Sequence, residues 1–121
     1  MKINESAETY LETILMLSKA NEFVRSVDIA GALGFSKPSV SIAMKNLRQS
    51  GHISVGTAGH ITLTQAGRKI AESMYERHML ICDWLISLGV DSKVAARDAC
   101  KMEHSMSEES FVAIKKHIHK S

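Results

Sequence analysis

The segment Cys100-Lys101-Met102-Glu103-His104 carries the densest chemistry in the chain. On a helix, positions i, i+3 and i+4 share a face, so Cys100, Glu103 and His104 direct a thiolate, a carboxylate and an imidazole into one small volume. Sulfur, oxygen and nitrogen donors together suit a divalent transition metal. Three donors from one helix leave an ion short of ligands, and His78 and Glu12 are the candidates to complete the set. Taken singly, each residue has a plainer reading. Cys100 reads as a small buried hydrophobe, and Glu103 with His104 as a solvated helix end favoured by the dipole. His78, inside an apolar stripe, reads as a core histidine with a hydrogen-bond partner. Glu12 lies off the apolar stripe of its helix and reads as a surface carboxylate. Only convergence of the whole set makes a site.

The elements that must position these residues are helical. A chain of 121 residues fits one compact domain, or two small ones sharing a core. Apolar residues make up 45% and charged ones 23%, both ordinary for a folded, soluble protein. Seven Met against three Phe and one Trp point to a helical interior packed by Leu, Met and Ile. No apolar run reaches the ~18 residues of a membrane span. Met1 to Ser6 lack an apolar signal core, so the chain is expected in the cytoplasm, with Cys82 and Cys100 as thiols.

In chain order, apolar recurrence at Tyr10, Leu11, Ile14 and Leu15 predicts a helix from residue 4 to about 20. Ser26 is the expected N-cap of a short helix ended by Gly34. Ser36 caps a second, with Pro38 in its first turn and its end near Gln49. Two short helices joined by a Gly-containing turn form the helix-turn-helix pattern. From Ile29 through Ala71 there is no Asp or Glu, while Lys37, Lys45, Arg48, Arg68 and Lys69 fall inside that window. The coincidence of the helix pair with a locally basic surface points to double-stranded DNA. Ser36, Lys37, Pro38, Ser39, Ser41 and Ile42 stand at the groove end of the second helix, with Lys45 and Arg48 further along. Arg25 and Ser26, at the start of the first helix, are assigned to the same surface.

Ile53 and Val55, then Ile61 and Leu63, alternate around Thr57-Ala58-Gly59, which predicts a β-hairpin, the wing of a winged helix. Thr64 caps a long helix running to about Leu88. Asp91 caps the helix that carries the Cys100–His104 segment, and Ser107 caps a last one. The basic tail from Lys115 to Lys120 is expected to fray.

With these elements in place, the chain resembles the diphtheria toxin repressor family of metal-dependent transcriptional regulators. The resemblance is carried by Tyr10-Leu11-Glu12-Thr13-Ile14, Asp28-Ile29-Ala30 with Leu33-Gly34, Ser36, and Pro38 to Val40. It continues through Leu63-Thr64 with Gly67, Arg77-His78, Leu88-Gly89-Val90-Asp91, and Ala99-Cys100 with Glu103-His104 and Ser107. It implies a mainly α protein: a winged helix-turn-helix DNA-binding domain over 1–72, then an all-helical metal-binding and dimerisation domain over 73–121. Thr9 stands where the family has a ligand, a Met in iron-type members and an Asp in manganese-type ones. Glu12 matches a manganese-type ligand, and His78, Glu103 and His104 match ligands of both types. Cys100 matches the iron-type cysteine, where manganese-type members have Glu. The iron-type second site also uses the positions of Cys82 and Ala96, and Ala96 cannot coordinate. The resemblance therefore describes a hybrid, a manganese-type architecture with an iron-type cysteine. Iron-type members place a Gln where Ile42 stands.

The implied function is a metal-dependent repressor, iron or manganese, that binds operator DNA as a homodimer when loaded. A thiolate beside carboxylate and imidazole favours Fe²⁺, with Mn²⁺ next and Zn²⁺ or Co²⁺ binding in vitro. No membrane and no small-molecule substrate is expected. A thiol-based redox regulator, sensing through Cys82 and Cys100, is the alternative. A metallohydrolase is disfavoured, since the paired His and general-base Glu of a zinc-protease helix are missing. The chain is not expected to be an enzyme.

Overall fold

The computed structural model describes residues 4–120. It forms two compact units that divide between Glu72 and Ser73.

In the first unit, helix α1 (Glu5–Ala20) starts at Asn4, whose side chain accepts from the Ala7 amide at 2.8 Å. Its stripe of Tyr10, Leu11, Ile14 and Leu15 is buried, against α2 (Ser26–Leu33) and the second wing strand. The N-cap of α2 is Arg25 rather than Ser26, which is the first helical residue. The Asp28 carboxylate accepts the Arg25 amide at 2.9 Å. That acid in the first turn closes the helix entrance, so the serine hydroxyl is not needed there. At the other end Gly34 takes a φ of +70°, and the amides of Gly34 and Phe35 both donate to the Ala30 carbonyl. A residue with a Cβ would be strained at this turn. Helix α3 (Lys37–Gln49) begins as expected, with Ser36 accepting from the Ser39 amide and Pro38 in the first turn.

Strands β1 (Ile53–Val55) and β2 (Ile61–Leu63) pair antiparallel, with Ile53 opposite Leu63 and Val55 opposite Ile61. Ile53 and Ile61 turn inward, and the Ile61 amide donates to the Val24 carbonyl at 2.8 Å. Thr64 then ties the hairpin to α4 (Gln65–Ser87). Its hydroxyl donates to the Gly51 carbonyl and accepts from the Gly67 amide. Gly67 sits so close that a Cβ there would lie 2.0 Å from the His52 carbonyl oxygen.

The second unit holds the rest of α4, then α5 (Ser92–Ser105) and α6 (Glu108–Lys120). The Asp91 side chain accepts from the Lys93 and Val94 amides, and the Ser107 hydroxyl from that of Ser110. Met74, Ile81, Ala95, Ala99 and Phe111 form its buried apolar set. The basic tail expected to fray is part of α6, which continues to Lys120. Phe111, Ile114 and Ile118 recur at helical spacing along it, and cations at a helix C-terminus are favoured by the dipole.

Candidate functional site

Helix α5 packs through a stripe of i, i+4, i+8 residues, Ala95, Ala99 and Glu103, each with no exposure. Two members of the stripe are alanines, and the third is a carboxylate. A buried charge is costly unless cations or donors compensate it. Around Glu103 stand two imidazoles. His104 Nε2 lies 3.6 Å from Glu103 Oε1, and His78 Nδ1, from α4, lies 3.9 Å from the same oxygen. The His104 side chain is 2% exposed. His78 Nδ1 is buried and finds no hydrogen-bond partner among the described residues. The core-histidine reading calls for a hydrogen-bond partner, and at this nitrogen the described residues supply only the Glu103 carboxylate at ion-pair distance.

Cys100 closes the set. Its sulfur, an oxygen of Glu103 and a nitrogen of His104 lie within 4.8 Å of one another. Cys100 itself is exposed, not sealed in hydrocarbon as its plainer reading had it. The thiol, carboxylate and imidazole of Cys100, Glu103 and His104 fit a divalent transition ion by donor chemistry, and His78 stands beside the shared carboxylate of Glu103. Cys82 lies half-buried on α4 and joins no cluster of donors among the described residues. Thr9 and Glu12 both lie on α1 in the first unit. The Thr9 hydroxyl donates to the Glu5 carbonyl at 3.1 Å. Glu12 is buried at 7% exposure, which corrects its reading as a surface carboxylate.

What holds these donors still is Arg77, which the spacing argument did not single out. It is 6% exposed and donates to the Glu103 carbonyl at 3.0 Å, to the Met106 carbonyl at 2.5 Å and to the Glu108 carboxylate at 3.0 Å. Its guanidinium also lies 5.1 Å from the centre of the Phe111 ring. Two of those acceptors are carbonyls at the end of α5, one of them on Glu103 itself. A sequence signal existed: Arg77 falls between Met74 and Ile81 on the apolar stripe of α4, where an unaccompanied cation is out of place.

The candidate nucleic-acid surface is built the opposite way. Helix α3 buries Val40, Met44 and Leu47. It leaves Lys37, Pro38, Ser39, Ser41, Ile42, Lys45 and Arg48 exposed, beside an exposed Ser36 cap. Arg25 is exposed and Ser26 half-buried at the start of α2. No carboxylate pairs with Lys37, Lys45 or Arg48 among the described residues. Their charge is therefore available to phosphate.

Two family descriptions together match nearly the whole chain. Residues 2–61 match the iron-dependent repressor N-terminal DNA-binding domain, and residues 64–120 the iron-dependent repressor metal-binding and dimerisation domain. The chain belongs to the iron-dependent repressor family. This is the diphtheria toxin repressor family of the motifs above: metal-dependent, DNA-binding transcriptional repressors rather than enzymes. Among its members, the transcriptional regulator MntR of Escherichia coli is 37% identical over 111 residues, covering 92% of this chain and 72% of that protein. An uncharacterised helix-turn-helix regulator of Methanocaldococcus jannaschii is 31% identical, covering 93% and 92%. The solved structure of the manganese regulator SloR superposes with a TM-score of 0.83 at 27% identity. It covers all of this chain, which spans only 56% of SloR. A manganese-dependent transcriptional repressor in complex with manganese matches with a TM-score of 0.84 at 26% identity, over 93% of this chain and 52% of that one. No helix of the described residues is long and apolar enough to cross a membrane.

Proposed function

We propose that this repressor binds operator DNA as a homodimer when His78, Cys100, Glu103 and His104 hold a divalent ion, Fe²⁺ in preference to Mn²⁺. The observation that carries the reading is the buried His78 Nδ1, which has no hydrogen-bond partner among the described residues and stands 3.9 Å from a fully buried carboxylate. Glu12 is assigned to the same ligand set, supported by its burial and by its place in the family motif. Thr9 is assigned as a weak hydroxyl donor. Residues 1–72 carry the reading surface from Arg25 to Arg48, and residues 73–121 the metal-binding and dimerisation functions, in the cytoplasm. Manganese stands in the names of structural relatives, whereas the Cys100 sulfur supplies the softer donor that favours iron.

When bound, the ion supplies the positive charge that a buried carboxylate and a thiolate require. The protein's own part is to hold the donors. Arg77 pins the end of α5, and the Ala95–Ala99–Glu103 stripe holds the carboxylate in place. Metal and operator are reciprocally linked, each raising affinity for the other by the same factor, typically worth about 1–3 kcal/mol. Met79 and Ile86 on α4, Leu88 just beyond its end and Val112 on α6 are large apolar side chains left exposed, which supports a second copy as partner. A two-fold dimer would present two α3 helices about one DNA turn apart.

The test is operator binding under anaerobic conditions with Fe²⁺, Mn²⁺, Zn²⁺ or chelator, for the parent and Cys100→Ala. Binding should require metal, be strongest with Fe²⁺, and lose that preference in Cys100→Ala. Binding unchanged across all conditions would overturn the reading. An oxidant-dependent, chelator-insensitive response would instead establish the redox alternative.

A further inference from the structure

The reading surface of α3 contains one residue that neither phosphate binding nor polar base contacts explain. Ile42 is 63% exposed, the only large apolar side chain on α3 left to solvent. It does not belong to the packed stripe of Val40, Met44 and Leu47. Its neighbours on the open face are Ser39, Ser41 and Lys45, with Pro38 one turn earlier. An exposed β-branched residue amid hydroxyls and lysines gains nothing from water.

Its surroundings select its partner. An apolar protein surface seated on Ile42 would have to desolvate Lys45 and the serines without returning charge. A DNA major groove does the reverse: its phosphates meet the lysine while the groove floor meets the apolar group. On that floor every base edge presents donors or acceptors, except for one apolar group, the 5-methyl of thymine.

We infer that Ile42 is a specificity-determining residue that packs against the 5-methyl group of a thymine in each operator half-site. The inference rests on the repressor reading above and adds what the recognition helix demands of its sequence. Where a Gln would select adenine by paired hydrogen bonds to N6 and N7, Ile42 selects thymine by contact alone. Discrimination is correspondingly modest. Burying one methyl group is worth about fourfold in affinity per site.

The experiment uses the full chain, loaded with Mn²⁺, and a duplex enriched from a random library. Each thymine of that duplex is replaced singly by deoxyuridine, which removes the methyl and leaves the pairing edge intact. The parent should lose about fourfold at one thymine per half-site. Ile42→Ala, which removes the contact in both half-sites, should bind the thymine duplex about sixteenfold more weakly and become indifferent to uracil at that same position, while Ile42→Val should retain part of the sensitivity. Because Ile42 is exposed, both variants should fold, which circular dichroism checks. If the parent tolerates uracil everywhere, or if Ile42→Ala keeps the parent's sensitivity, the inference is overturned while the repressor reading stands. If no duplex is enriched at all, the repressor reading falls and takes the inference with it.

Discussion

Two regions, α3 in the first unit and the α4–α5 cluster in the second, treat their polar side chains in opposite ways. In the first, an apolar set of Leu11, Ile29, Val40 and Leu47 is sealed inside, and the functional residues of α3 stand outside on its open face. In the second, the functional residues are part of the interior. Glu103 is fully buried, Arg77 nearly so, and the His104 side chain is 2% exposed. An outward-facing surface can change residue by residue without cost to the fold, because surface substitutions usually shift stability by less than about 0.5 kcal/mol. An inward-facing site cannot, because each member is also packing and charge compensation for its neighbours.

The sharpest way to break this contrast is Arg77→Leu. It strands the Glu103 and Met106 carbonyls and the Glu108 carboxylate, so urea denaturation should show a loss of about 3 kcal/mol. A change under about 1 kcal/mol would mean that the interior of the second unit is not organised by that guanidinium. Next is Glu103→Gln, which keeps volume and removes charge. Calorimetric titration with Mn²⁺ or Fe²⁺ should show affinity reduced about a hundredfold, at the upper end of what even outer-shell partners of a metal contribute. The metal-free protein should be no less stable, since a buried charge has been removed. Destabilisation with unchanged metal affinity would make Glu103 a structural residue only.

Gly67→Ala probes the seam of the first unit. Alanine gains about 1 kcal/mol of helix propensity. Against this, its Cβ would meet a backbone oxygen at 2.0 Å, and such overpacking costs about 1–3 kcal/mol. Because that oxygen is main chain and cannot swing aside, the clash should win, leaving a net loss of up to about 2 kcal/mol in thermal unfolding. A stabilised variant would contradict the tight seam. Smallest should be Lys45→Ala. Operator affinity should fall severalfold, the salt slope should drop by about one, and stability should stay unchanged. A measurable stability loss there would erase the distinction between an outward surface and an inward site.

The DNA-reading surface was legible in the chain because its signals are local. Caps at Ser36 and Thr64, Gly34 after a short helix, alternation at Ile53–Val55 and an acid-free window all act within a few residues of themselves. Ser26 was misassigned by one position because Ser26 and Asp28 both offer an oxygen, and the choice between them is geometric. The spacing of Cys100, Glu103 and His104 was equally visible, since one helix carries all three. The role of Arg77 was not. Its acceptors lie 26, 29 and 31 residues away, at the corner between α5 and α6.

From its residues alone, then, this chain determined its helices, its wing, its basic face and the donor types available to an ion, because each depends on periodicity, capping or charge along a short stretch. Tertiary structure decided the rest: that Glu12 is buried rather than solvated, that His78 Nδ1 finds no hydrogen-bond partner among the described residues, and that Arg77 grips the end of α5. Burial and partnership depend on which distant segments meet, and no local pattern records that.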